Sequence, residues 1–294
     1  MSERPLVVDA HHHFWDPARF DYAWMAGAET ASLRRPFGPE ELEPLLAEAG
    51  VDATLLVQAL QSVDETRWLL ETAAATPFVA GVVGWVDLTD PTVDETLADL
   101  TNSAAGRSLV GIRHMVQDEP DPEWLLRPEV TRGLQAVAAA GLVYDLLLKP
   151  PQIAAATRLC GRLPEVRFVV DHLAKPPIAS GEIAPWAALM EPFREMPHVA
   201  CKLSGVVTEA DPASWTPVDL APFVAVAVEL FGEERLLFGS DWPVCTLAAG
   251  YAQVKGALEA ALEEVHGAQP STATREAIFG ANAVRLYGLE VGKE

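Results

Sequence analysis

GLVYDLLLKPPQIAAATRLCGRLPEVRFVVDH, residues 141–172, holds one full period of the pattern that organises this chain. Gly141 closes a preceding helix, Val143–Leu148 is an apolar strand, and Gln152–Arg162 carries helical periodicity. Arg167–His172 is a second strand, ending on an acid and a histidine. A helix between two strands must carry the chain back across the sheet, so the strands are parallel. Leu146-Leu147-Leu148 and Phe168-Val169-Val170 are apolar throughout, as expected of strands covered on both faces.

The same unit recurs on either side. Further strands are predicted at Leu6–His12, Thr54–Gln58, Phe78–Trp85, Val110–His114, Val199–Leu203 and Leu236–Ser240, which makes eight. Further helices are predicted at Pro39–Ala49, Asp64–Ala75, Val93–Ser103, Pro128–Ala140, Trp186–Met196, Val218–Phe231 and Tyr251–His266. A closing helix spans Thr272–Tyr287. Pro39 and Pro128 stand at helix starts, and Gly50 and Gly232 follow helix ends. Eight such units in 294 residues point to an α/β fold, a closed (β/α)8 TIM barrel forming one domain over residues 1–294. An open doubly wound sheet is the alternative, but no Gly-x-Gly-x-x-Gly turn follows any strand. Residues 15–38, rich in aromatics such as Trp15, Tyr22 and Trp24, keep neither period. A loop of this kind either caps an active site or packs its own aromatics.

Half of the residues are hydrophobic and 21% are charged, which is globular rather than disordered. A formal charge of −21 argues against a nucleic-acid partner. Cys160, Cys201 and Cys245 are well separated and lack any CxxC spacing, so buried free thiols are expected. No apolar run approaches the roughly 20 residues of a membrane span, nor does the N-terminus read as a signal peptide. A cytoplasmic protein with no membrane partner is the expectation. Oligomeric state is left open.

Barrels of this class do their chemistry at the carboxyl ends of the strands. The polar residues cluster there. Strand one ends in His11-His12-His13, strand two in Gln58, strand three in Trp85 and strand four in Arg113-His114. Strand five is followed by Lys149, and strand six ends in Asp171-His172 with Lys175 beyond. Strand seven holds Lys202 and Ser204, and strand eight ends in Ser240-Asp241-Trp242. Alternation along a strand turns His11 and His13 one way and His12 the other. Two converging imidazoles suit a divalent cation or a polarised carbonyl. Asp241 leaves an apolar strand, so it is expected to be partnered or reactive. Either Arg113 or His114 is expected to face the barrel axis. Lys149, Lys175 and Lys202 are either substrate anchors or lysines lying over apolar neighbours.

Asp9-Ala-His-His-His-Phe-Trp-Asp16, Gly111-Ile-Arg-His114, Val170-Asp-His-Leu-Ala-Lys-Pro176, Cys201-Lys-Leu-Ser-Gly205 and Phe238-Gly-Ser-Asp-Trp-Pro243 together resemble the amidohydrolase superfamily. Within it the chain is similar to the branch of sugar-lactone and pyrone-dicarboxylate lactonases, from Val8 to about Tyr287. The resemblance implies a reaction centre of His11, His13, His172 and Asp241. No bridging lysine or glutamate ends strand four, which argues against a two-metal site. One divalent ion, zinc first, or no metal at all is what the resemblance implies.

The expected activity is hydrolysis of a small-molecule lactone, a sugar lactone of L-fucono-, L-rhamnono- or L-galactono-type ahead of a pyrone dicarboxylate. Asp241 and His172 are the expected catalytic pair, and His11, His13, His172 and Asp241 the expected metal set. Trp15, Trp85, Arg113, His114, Lys149, Lys202 and Trp242 are the expected substrate contacts, forming a cationic rim and a stacking wall. A zinc-dependent decarboxylase or amide hydrolase of the same superfamily is the alternative enzyme. A barrel that binds a sugar acid without turnover is the non-enzymatic one.

Overall fold

The computed structural model describes residues 4–291. Eight parallel strands follow one another around the sheet in chain order: β1 (Val8–His12), β2 (Ala53–Val57), β3 (Val79–Gly84), β4 (Leu109–His114), β5 (Val143–Leu146), β6 (Phe168–Val170), β7 (Val199–Leu203) and β8 (Leu236–Phe238). The ring closes just beyond β8. His13 N donates to Trp242 O at 2.7 Å and Asp241 N donates to His11 O at 2.8 Å. This is the (β/α)8 barrel that the strand–helix alternation predicts.

Between strands lie α1 (Pro39–Ala49), α2 (Val63–Ala74), α3 (Val93–Thr101), α4 (Pro128–Ala139), α5 (Pro150–Arg162), α6 (Ile183–Met190), α7 (Val206–Glu209) and α8 (Pro217–Phe231). Their ends follow local chemistry. Ser62 caps α2 by accepting from Glu65 N, and Thr216 with Asp219 forms a capping box at α8. Gly50 ends α1 at φ +65°, where a left-handed residue releases the chain into β2.

Two helices differ from expectation. Regular α6 stops at Met190 rather than Met196, because Pro192 has no N–H to continue the ladder and residues 191–195 tighten into a 3-10 turn. After α9 (Tyr251–His266) the closing helix divides into α10 (Thr272–Glu276), a wide π turn over Ala277–Ala281, and α11 (Asn282–Tyr287). In that wide turn Gly280 lies so close to Leu6 O that a Cβ would come within 2.1 Å of it. Short α7 spans only four residues, too few to show a helical period in the sequence.

The apolar residues form two layers. One, including Val8, Ala10, Leu55, Val57, Val83, Val143, Val169, Ala200 and Leu237, fills the barrel interior. The other lies between the sheet and the surrounding helices. The three cysteines are free and buried. Among the described residues no helix is long and apolar enough to cross a membrane.

Candidate active site

Val8 and Ala10 face the barrel interior, so unbroken alternation would send His12 inward as well. A bulge prevents this. Asp9 pairs with Thr54 but His12 pairs with Leu56, so three steps on β1 oppose two on β2. The extra residue reverses the phase of the strand. His11 and His13 therefore turn to the reaction side, while His12 points outward and bonds Thr54 Oγ1 at 2.8 Å.

His172 and Asp241 are aimed by backbone geometry. His172, Leu173, Ala174 and Lys175 all have φ between 52° and 55°, and Asp241 has φ 58°. A left-handed run of L-residues costs roughly 1–2 kcal/mol per residue. Such outliers gather where a side chain must be held in one direction. Gly205, also left-handed at φ +63°, lets the chain pass against the His172 ring; a Cβ there would come within 2.7 Å of Nδ1.

These elements bring four side chains together. His13 Nε2 lies 3.3 Å from His11 Nε2 and 3.3 Å from Asp241 Oδ1. Asp241 Oδ1 is 3.8 Å from His11 Nε2 and 4.0 Å from His172 Nε2. Ligand atoms of His11, His172 and Asp241 lie within 4.8 Å of one another. His172 Nδ1 is fixed by Ser204 Oγ at 2.9 Å. His13 Nδ1 bonds the carbonyl of Val57 at 2.7 Å, so in the neutral ring its proton is on Nδ1 and its Nε2 lone pair faces the cluster. Arg113 Nη1, a donor only, faces His11 Nε2 at 3.1 Å, where a lone pair on that nitrogen would accept from it. Imidazole nitrogens and one carboxylate converging in this way form a donor set suited to zinc or a similar divalent ion.

Burial pushes the His172 imidazole down to about 4, opposed by Asp241, and holds His11 well below its ordinary value. Both rings are neutral near pH 7. Burial alone would raise the Asp241 carboxyl, but His172, His13 and Lys175 outweigh it and keep the pKa below the usual value. Asp241 is thus an ionised base beside the neutral rings of His11 and His172.

His13, His172 and Asp241 line the floor of a cavity of about 420 Å³ at the carboxyl ends of the strands, with His11 buried behind them. Arg113, Lys149 and Lys175 line it, with Met115, Gln117, Asp118, Leu147 and Val244. From residues 15–38 only Trp24 and Glu29 reach it. The remaining expected substrate contacts lie elsewhere. Trp15 is buried in an aromatic group with Tyr22, Trp24 and Phe37, its Nε1 donating to Leu33 O and Arg35 O. Trp242 is buried edge-on against Phe14 and Phe37. His114 stacks on Trp124 at 4.1 Å and accepts from Trp85 Nε1 at 3.1 Å, which ties both residues into packing behind β4. Arg113 is the member of its pair that faces the axis. Lys202 is fully buried beneath His11 and pairs with Asp145 and Asp171, out of reach of the cavity.

Asp145, Asp171 and Glu65 are buried carboxylates beside this site that the sequence reading did not single out as functional. Glu65 accepts from Ala59 N and Leu60 N and so shapes the loop after β2. An acid within an otherwise apolar strand, as at Asp145, was the available signal, because a buried charge requires a partner.

Comparison with known proteins agrees with this geometry. An L-fucono-1,5-lactonase of Burkholderia ambifaria is 40% identical over 283 residues, 96% of each chain. Another of that name, from Burkholderia multivorans, is 37% identical over 297 residues, 97% of this chain and 96% of the other. A crystal structure of a Burkholderia multivorans amidohydrolase with bound zinc superposes with a TM-score of 0.88 at 38% identity, covering 97% of this chain and 99% of that one. Residues 8–289 match the amidohydrolase family as a whole, and with the barrel and its strand-end cluster in place the chain belongs to that family.

Proposed function

We propose that this protein is a lactonase that opens a sugar lactone of L-fucono-, L-rhamnono- or L-galactono-type to the aldonic acid. The observation that carries this reading is the charge balance around His11, His13, His172 and Asp241. Each cation lining the cavity already faces a carboxylate: Arg113 with Asp171 at 3.0 Å, Lys149 with Asp118 at 3.7 Å and Lys175 with Glu209 at 3.6 Å. Glu29 adds a further negative charge. The expected cationic rim is therefore neutralised, and a dicarboxylate would meet no unpaired cation among the described residues. A neutral polyol suits mixed donors and acceptors, and the lactonase relatives point the same way. Gln117 also lines the cavity and offers its side-chain amide to a substrate hydroxyl.

Hydrolysis joins a water oxygen to the carbonyl carbon and breaks the bond from that carbon to the ring oxygen. Asp241 takes the proton from the water and returns it to the ring oxygen as it leaves. Arg113 donates a hydrogen bond toward the carbonyl oxygen as negative charge develops on it, and His172 Nε2 donates beside it when no metal occupies that nitrogen. A zinc ion held by His11, His13, His172 and Asp241 would supply Lewis-acid polarisation of that carbonyl. Lys149, Lys175 and Gln117 orient the hydroxyls, and residues 15–38 cap the cavity through Trp24 and Glu29. Three buried free thiols fit a reducing compartment, and we place the enzyme in the cytoplasm.

A pH-indicator screen of aldono-lactones tests the proposal, run before and after chelation with carbon dioxide followed in parallel. Acid release without carbon dioxide is expected, with kcat/KM on an L-sugar lactone of about 10⁴ M⁻¹s⁻¹ or more. Carbon dioxide release, or turnover only of a pyrone dicarboxylate, would refute it. The substitution Gly205→Ala is expected to reduce kcat about tenfold or more by displacing His172, since misplacement by about 1 Å costs on the order of 10²-fold. Native kcat in that variant would show that the His172 ring position does not matter.

A further inference from the structure

Four buried charges lie beneath the reaction centre, on consecutive staves. Lys202 Nζ contacts Asp145 Oδ2 at 2.5 Å and Asp171 Oδ1 at 3.1 Å, and Arg113 Nη1 contacts Asp171 Oδ2 at 3.0 Å. Two cations and two anions alternate, so the cluster is neutral. None is exposed by more than a few per cent. Tyr287 in α11 donates its hydroxyl to Asp145 Oδ1 at 2.7 Å, tying the end of the chain to the cluster. Burying charges is costly, and an apolar core would be simpler. The arrangement calls for a use.

His11 supplies one. Its Nε2 faces the reaction centre and the donor Arg113. Its Nδ1 faces the buried charges, 3.4 Å from Asp171 Oδ1 and 3.3 Å from Lys202 Nζ. An ammonium and Nδ1–H cannot bond each other, but both can direct hydrogens to the oxygen between them. That oxygen, Asp171 Oδ1, makes no hydrogen bond of good geometry, which leaves it open to accept one.

We propose that Asp171, itself held by Lys202 and Asp145, is a positioning residue that keeps the proton of His11 on Nδ1 and turns the Nε2 lone pair into the reaction volume. It acts through His11 and does not touch the substrate. Fixing an imidazole through its far nitrogen is a general way to set its tautomer and basicity. The inference rests on the proposed hydrolysis for its catalytic consequence, whereas its tautomer claim is independent of any substrate.

The test is nitrogen-15 NMR of the imidazole rings in histidine-labelled protein, as purified and after chelation, with His11 assigned by comparison with His11→Gln. The native protein should show His11 with the proton on Nδ1. In Asp171→Asn, and in the charge-balanced Asp171→Asn/Lys202→Met should the single variant fail to fold, the proton should shift towards Nε2. In those variants kcat should fall about 10–100-fold, the usual effect of losing such a support, with KM within about twofold. A native His11 protonated on Nε2, or an unchanged tautomer and kcat in the folded variant, would overturn the inference. Absence of lactone turnover in the native protein alongside the predicted spectrum would instead count against the proposed reaction.

Discussion

Replacing Asp241 with asparagine is expected to lower kcat about 10²-fold or more, the usual effect of removing a general base. The choice of asparagine matters. Asp241 sits at φ 58°, a conformation that asparagine tolerates at least as well as aspartate and that alanine does not. The substitution therefore removes the charge and keeps the turn. Its nearest polar contact is His13 Nε2 at 3.3 Å, which an amide can still meet. Thermal unfolding should consequently remain within a few degrees of native, separating lost chemistry from lost structure. Native turnover by a folded Asp241→Asn enzyme would leave the proposed proton relay without its carrier.

The largest effect on stability is expected at Asp9. This carboxylate is fully buried where β1 meets the segment after β8, and it satisfies four donors. Oδ1 accepts from His11 N at 3.0 Å and Ser240 N at 2.8 Å. Oδ2 accepts from Ser240 Oγ at 2.5 Å and Tyr251 Oη at 2.8 Å. Burial pushes the Asp9 carboxyl up to about 6, with the four hydrogen bonds opposing it, so it is ionised at neutral pH. Asp9→Ala strands two buried backbone N–H groups, each costing about 1–3 kcal/mol, while the two hydroxyls can partly bond each other. A loss of about 3–5 kcal/mol follows, which at about 2–4 °C per kcal/mol lowers Tm by roughly 6–20 °C. Because Ser240 precedes Asp241 and His11 joins the cluster, kcat should fall as well. A melting curve displaced by less than about 3 °C would show that the seam is held by other contacts.

The barrel was legible because both of its periodicities are strong, and because polar residues gather at strand ends only in a fold that builds its site there. That His11, His13, His172 and Asp241 would cluster was legible for the same reason. Other features were not. The bulge in β1 depends on pairing with β2, and nothing in Asp9-Ala10-His11-His12-His13 announces it. The expected faces of the histidines came from simple alternation, which leaves open which face is inside. Residues 172–175 contain no glycine, so their left-handed path has no compositional cue. Lys202 was read as a substrate anchor from its strand alone. Its partners Asp145 and Asp171 come from neighbouring strands, and only the closed ring brings them together. The tryptophans were expected on the cavity wall, but large aromatic surfaces gain more by packing against one another than by lining a polar cavity.

The left-handed run from His172 to Lys175 sets a conflict for any lineage selected for heat tolerance. Glycine at Ala174 would relieve about 1 kcal/mol of backbone cost, a gain of the size that commonly accumulates in thermostable variants. The same relaxation would loosen the segment that aims His172. Adaptation to high temperature is therefore better served by the outer helices, leaving this turn as an island of retained strain in an otherwise hardened barrel.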